Sequence, residues 1–238
     1  MPITGTDSSL QDMLVKVGAL QIDGTSVYPA FPKVGNQFFV SPHLGNNGFD
    51  GSSWASSCAS FESLFEKDNF VSGSTVYFNG KVREQVTAPD GVFDVTIIGT
   101  GNRPRHADAH TGNGGYSAAT WVLPESPTAS TPLLTVRNQG WRLMNFLMGA
   151  DTDQVCVDLV TNSESGDDEY SAGHFSCYGM RFDGAGVGIR DNGPGGFVGV
   201  YDSFFRGMTT AIGEVAGAGP GTRSWWEIKG NRFFDNTN

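Results

Sequence analysis

Asp191 and Glu214 stand 23 residues apart, and the same interval carries FSCYGMRFDG, starting at Phe175, onto VGVYDSFFRG, starting at Val198. If the interval is a structural repeat, the two carboxylates lie on neighbouring strands whose backbones are about 4.8 Å apart. Such a pair could act as acid and base on a glycosidic bond, which needs carboxyl groups roughly 5 to 9 Å apart. It could also hold a cation, because adjacent like charges need a cation or a shared proton to coexist. Arg190 is the only orienting partner close in sequence. The plainer reading is two solvated loop acids, and no catalytic residue is assigned. Asp151 with Asp153, and the run Asp167-Asp168-Glu169, read as solvated loops, because neither shows the spaced oxygen ligands and matched glycine of a calcium loop. His106, Asp108 and His110 form an H-x-D-x-H run in a Gly-rich stretch that could bind a metal through imidazole and carboxylate, but it reads as a surface loop. His43 and His174 are isolated. No metal and no cofactor are expected.

The basic residues Arg181, Arg190, Arg206 and Lys229 have no acidic cluster beside them, and Arg181 and Arg206 read as outward charges flanking Phe182 and Phe205. The chain has no G-x-S-x-G elbow for a serine nucleophile. Gly112 to Gly115 follows no strand-to-helix context of the kind that cradles phosphate. The aromatic residues are the remaining handle. In the 23-residue register Tyr178 meets Tyr201 on an outer face, and in Trp225-Trp226 the pleat sends Trp226 inward and Trp225 outward. An exposed ladder of Tyr178, Tyr201 and Trp225 suits sugar rings or a neighbouring subunit.

These side chains must be positioned by a chain of 238 residues with 15 Lys and Arg against 25 Asp and Glu, a formal charge of −10. So acidic a chain offers no general grip on phosphate backbones, and no nucleic-acid partner is expected. Gly is 33 residues, roughly twice ordinary usage, and Phe is 17. That aromatic load argues for a packed core. No apolar run approaches the roughly 18 residues of a membrane span, and MPITGTDSSL lacks the pattern of a signal peptide. Cys58, Cys156 and Cys177 have no ligand spacing and read as buried free thiols of a protein made in a reducing cytoplasm.

Residues 7–20 carry helical spacing, with Leu10, Met13, Leu14 and Val17 at i, i+3, i+4 and i+7, Ser8 and Gln11 as a capping box and Gly18 as a stop. So short a helix cannot bury its own stripe, so these four residues are expected to contact a partner. Residues 21–36, with Gly24, Pro29, Pro32 and Gly35, read as a linker. The organisation expected is therefore 1–35 for attachment, 36–70 as a small α/β cap and 71–238 as an all-β unit. The cap is a strand over 37–41, turns at 45–51 and a helix over 56–67 with Cys58, Phe61, Leu64 and Phe65 on one face.

Beyond residue 70, strand-like runs recur at 75–78, 95–98, 133–136, 143–146, 175–182, 197–205 and 225–234. The 23-residue shift also matches Cys177 with Val200, Phe182 with Phe205 and Ile189 with Ile212. A shift of 28 carries Val198, Val200 and Phe205 onto Trp226, Ile228 and Phe233. A shift of 34 carries Trp141, Leu143, Phe146 and Met148 onto Phe175, Cys177, Met180 and Phe182, and Val155 onto Ile189. A constant apolar ladder with loops of varying length predicts a solenoid of parallel strands, in which like side chains stack between turns. A β-sandwich has short strands too, but gives no reason for this register. At about 28 residues per turn, 71–238 predicts about six turns and about 30 Å of coil.

Gly35-Asn-Gln-Phe-Phe-Val-Ser-Pro42, then Gly45-Asn-Asn-Gly-Phe-Asp-Gly-Ser-Ser-Trp-Ala55 and a short helix, resembles the entry to right-handed parallel β-helix proteins of the pectate-lyase-like class, an opening common in bacteriophage tailspikes and fibres. Ile228-Lys-Gly-Asn-Arg-Phe-Phe-Asp-Asn236 is similar to a turn of such a helix. The resemblance implies a right-handed coil whose first turn is plugged by the short helix, a homotrimer, and a place on the virion. The function expected is a non-enzymatic tail fibre, tailspike or adhesin, attached through residues 1–35 and facing host surface polysaccharide, on a natural chain continuing past Asn238. The alternatives are a polysaccharide-degrading lyase or glycosidase of the same fold, and a capsid decoration protein. Lyases of the class use calcium and a basic proton acceptor, and the arginines here lack the accompanying Asp cluster.

Overall fold

In a computed structural model, residues 36–100, 119–160, 172–184, 186–192, 196–214 and 225–237 are described, with the strand pair at 21–22 and 25–26. That pair, β1 (Gln21–Ile22) and β2 (Thr25–Ser26), is antiparallel and lies where the Gly and Pro content predicts only a linker. The helix expected over 7–20 lies outside the described residues.

From β3 (Gln37–Val40) onward the chain builds three parallel sheets. After the helix α1 (Phe61–Phe65), it visits the sheets in one repeating order. A first coil is β4 (Thr75–Phe78), β5 (Lys81–Arg83) and β6 (Val86–Thr87). A second is β7 (Thr96–Gly99), β8 (Thr120–Val122) and β9 (Leu134–Val136). A third is β10 (Arg142–Met144), β11 (Leu147–Ala150) and β12 (Val155–Val160). A fourth is β13 (Phe175–Tyr178), β14 (Arg181–Gly184) and β15 (Val187–Asn192). A fifth is β16 (Phe197–Tyr201), β17 (Phe204–Arg206) and β18 (Thr210–Glu214), followed by β19 (Trp225–Lys229) and β20 (Arg232–Phe234). The first sheet is β3-β4-β7-β10-β13-β16-β19, the second β5-β8-β11-β14-β17-β20 and the third β6-β9-β12-β15-β18. The fold is parallel β-helix-like, and among the described residues no antiparallel pairing joins these three sheets.

The expected ladder is present in the last coils. Phe175 pairs with Val198 and Val198 with Trp226; Phe182 pairs with Phe205 and Phe205 with Phe233; Leu143 pairs with Cys177 and Met148 with Phe182. One register differs. Val155 pairs with Val187, and it is Val157 that meets Ile189. The corner 151–154 between β11 and β12 is two residues longer than the corner 185–186 between β14 and β15, so the 34-residue interval shortens to 32 in the third sheet. A shift of two keeps every side chain on its face.

Alternation puts Val76, Ile97, Leu143, Cys177 and Val200 inside the first sheet, all essentially buried. Trp121 and Trp141 are wholly interior, each donating its indole N–H to a carbonyl of the preceding coil (Glu84 O and Val92 O, both at 3.0 Å). The corners follow one rule. Asn145, Gly179, Asp202 and Gly230, each immediately after a first-sheet strand, all have positive φ, between 48° and 68°. Left-handed backbone favours Gly, Asn and Asp, and those residues fill the column. Asp94, Gly140 and His174 form a second such column just before the first-sheet strands.

The cap differs in detail from its expectation. α1 spans five residues rather than twelve, with Ser60 as N-cap bonding Ser63 N at 3.1 Å. Cys58 is buried but precedes the helix, bridging to Val40. Phe61 stacks on Trp121 (4.3 Å, 9°) and meets Phe78 edge-on at 5.3 Å, so the helix seals its aromatic face against the first two coils.

Candidate binding faces of the coil

The outer face of the first sheet carries an apolar column. Register aligns Phe39, Tyr77, Ile98, Met144, Tyr178 and Tyr201, followed by Lys229. Tyr178 and Tyr201 stack at 4.7 Å and 13°, Phe39 and Tyr77 at 5.6 Å and 23°, and Trp54 leans on Phe39 at 4.9 Å. The phenol of Tyr201 donates to Glu227 Oε2 at 2.7 Å, and Lys229 closes on the other oxygen of Glu227. Burial and the Glu227 carboxylate hold the Tyr201 phenol above its ordinary range, while Lys229 and Tyr201 together hold Glu227 below its own.

The Tyr178–Tyr201 pair expected from the sequence is therefore formed. Trp225 is outward and 79% exposed, and Trp226 is half-buried against the core. Trp225 pairs with Phe197, four residues from Tyr201, which sets it roughly 13 Å along the strand from the tyrosine pair. The structure thus puts the three aromatics on one face without bringing Trp225 to the stack. Phe39, Tyr77, Ile98 and Met144 extend the column in a way the sequence reading missed. Their intervals, 38, 21 and 46 residues, repeat nothing later in the chain.

The outer face of the second sheet is cationic. Its two columns are Lys81, Thr120, Leu147, Arg181, Phe204, Arg232 and Arg83, Val122, Gly149, Asp183, Arg206, Phe234. Arg181 and Arg206 point outward as expected. Arg181 ion-pairs with Asp183 at 3.0 Å and lies over the Phe204 ring at 5.3 Å; Arg206 lies over Phe234 at 5.9 Å. Burial, and then the neighbouring Arg83, lower the Lys81 ammonium from its ordinary value.

Asp191 and Glu214 are Cα partners, as the repeat predicts. Asp191 is not the solvated loop acid expected. It lies at the inward parity of β15 and is 6% exposed. Arg190 turns away from it and forks onto buried Asp158 with two bonds of 2.7 Å, and that pairing raises the arginine further above its usual range. Asp151 and Asp153 are exposed. Among the described residues no group of three or more His, Cys, Asp or Glu converges on a metal-sized site, and no helix is long and apolar enough to cross a membrane. His106, Asp108, His110, Asp167 to Glu169, and Leu10, Met13, Leu14 and Val17 lie outside the described residues. The three cysteines are free and buried.

Comparisons with protein families, with curated proteins and with solved structures find no match.

Proposed function

We propose that this chain is a structural, non-enzymatic rod of a bacteriophage particle, of the tail fibre, tailspike or adhesin class, with the sides of a right-handed β-helix turned to the host surface. The observation that carries the reading is the outer aromatic column of the first sheet, in which Tyr178 lies flat on Tyr201 with Tyr178 39% exposed. A stiff parallel coil holds such rings at fixed spacing without loop motion, which suits sugar rings lying across neighbouring coils. Attachment through residues 1–35, assembly as a homotrimer and a virion location belong to the same proposal and rest on the resemblance of the Gly35–Ala55 entry.

The test is a particle assembled with a chain lacking residues 1–35, alongside one carrying Tyr178→Ala and Tyr201→Ala. The deletion is expected to leave the purified coil folded but absent from particles. The double variant is expected to be incorporated while adsorption to host cells falls. Normal incorporation of the deletion removes the attachment role, and unchanged adsorption removes the aromatic column. An enzyme of the same fold is the second reading, and the alignment of Asp191 with Glu214 is the observation that favours it.

A further inference from the structure

The geometry points to the outer face of the second sheet as a binding site for an anionic glycan, one bearing carboxylate or sulfate groups and lying along the coil axis. The inference deepens the surface-binding reading above and rests on it for the class of polymer. Charge distribution is the first ground. The chain carries 15 cations against 25 acids, yet Lys81, Arg83, Arg181, Arg206 and Arg232 all project from this one face. Asp183 is the only acid in its six strands, and Arg181 already neutralises it. Lys81, Arg206 and Arg232 have no carboxylate partner among the described residues. A locally cationic face on an acidic rod selects anions by position rather than by overall attraction.

Unsatisfied donors are the second ground. Arg181 Nε and Arg206 Nη1 are buried and have no hydrogen-bond partner among the described residues. A buried guanidinium N–H without an acceptor is costly, and a carboxylate or sulfate oxygen is the acceptor its fork fits best. The two arginines sit on adjacent strands of the stack, with Arg232 one strand further. The cations from Arg83 to Arg232 span five strand steps, about 24 Å, longer than one small ion needs. They form two groups, Lys81 with Arg83 and Arg181 with Arg206 and Arg232, and because Leu147 is buried in one column the path that joins them runs along the other, over Val122 and Gly149.

A hollow of about 180 Å³ at the Lys81 end is the third ground. Lys81 and Arg83 share it with Asp151 and Asp183, and Leu123 and Pro124 add apolar wall. It is smaller than the roughly 300 Å³ at which drug-sized pockets begin. Cations for an acid group, carboxylates for hydroxyl donors and an apolar wall for ring carbons match one acidic sugar. Arg181 and Arg206 each lie over one face of Phe204 and Phe234, which closes that face to a stacking nucleobase.

The full chain is to be tested for binding to dextran sulfate, to carboxymethyl-dextran and to uncharged dextran of equal length, at low and at physiological salt. Binding to either charged polymer but not to the uncharged one is expected, weakening as salt rises, and the charged polymer preferred identifies the group. Arg206→Gln with Arg232→Gln should weaken binding at least tenfold at an unchanged melting temperature. Lys81→Gln with Arg83→Gln should do the same at the other end and serves if the first pair disturbs folding. Arg137→Gln, whose partner Asp90 lies 3.6 Å away outside this sheet, should change nothing. Equal binding to charged and uncharged dextran overturns the assignment while leaving the aromatic column as a glycan site. No binding to either charged polymer, equal loss in Arg137→Gln, tighter binding of single-stranded DNA, or loss of self-association in the double variants in place of glycan loss each overturns it too.

Discussion

Phe205 lies flat on Phe182, ring centroids 4.7 Å apart and planes 11° from parallel, and Phe233 repeats the relation on Phe205 at 5.2 Å and 10°. Three coils are thus pinned through one column, and the ring spacing is close to the strand spacing itself. Phe205 is fully buried between its neighbours. Phe205→Ala should cost about 3–5 kcal/mol, as large-to-small changes in a packed core do. Phe205→Asp should cost more, because it adds an unpaired buried charge. Chemical denaturation of the two variants checks this, and a loss below that of an exposed control such as Leu44→Ala would deny the column its role.

That column was legible in the sequence because the residues are alike and the corners between them are short and regular in type. Asn145, Gly179, Asp202 and Gly230 mark one corner at the same 34, 23 and 28 intervals that relate the strands. The Val155 register was not legible, since two extra residues at 151–154 change the interval without changing the face. The first coils were hidden for another reason. Phe39, Tyr77, Ile98 and Met144 share a column but not a residue type, and their spacings do not recur. Burial of Asp191 was hidden as well, because a carboxylate beside Arg190 and Asn192 reads as loop until the strand's parity is known. The cationic second-sheet face needs three-dimensional register, since its five cations come from three coils, the first, fourth and fifth, and the terminal strand.

Glu84 should give the cap a measurable acid response. Its carboxylate accepts from Phe61 N at 3.2 Å and Glu62 N at 3.0 Å, holding the start of α1 against the first coil. Burial nevertheless outweighs those bonds and raises its pKa above the ordinary glutamate value. A carboxylate raised on folding binds its proton more readily in the native state, so its contribution to stability falls as pH climbs from the unfolded toward the folded pKa and recovers on acidification. The stability difference between the wild type and Glu84→Gln should therefore move in favour of the wild type as the pH is lowered through that window. Unfolding curves across an acid pH series measure it, and a difference that moves the other way would show that the two amide bonds dominate.

The cysteines should be chemically silent in the folded protein. Burial pushes Cys177 up to about 12 and Cys156 higher still, with the Asp183 carboxylate adding to the second, and Cys58 is raised by burial too. Thiolate is the reactive form, so all three should resist alkylation at neutral pH and react once the chain is unfolded. Mass spectrometry after timed iodoacetamide treatment reads this directly, and fast labelling of Cys156 or Cys177 in native protein would show that the coil opens at those strands.

Purified residues 1–238 should release neither reducing ends nor unsaturated products from capsule or lipopolysaccharide. A glycosidase must present two carboxylates to one bond, and a lyase must set a base beside a group that neutralises the substrate's charge. Asp191 and Glu214 are aligned in register, but Asp191 is 6% exposed, which leaves little of it for a polymer to reach. Arg190, the basic neighbour that could have neutralised charge or oriented the pair, is committed to Asp158 through two bonds of 2.7 Å. Asp158 is itself 4% exposed, and removing Arg190 would strand its buried charge, so the arginine is held for the fold. Product release that disappears in Asp191→Asn or Glu214→Gln would overturn the structural reading and promote the enzyme. Release that survives both changes would place an active centre elsewhere on the coil.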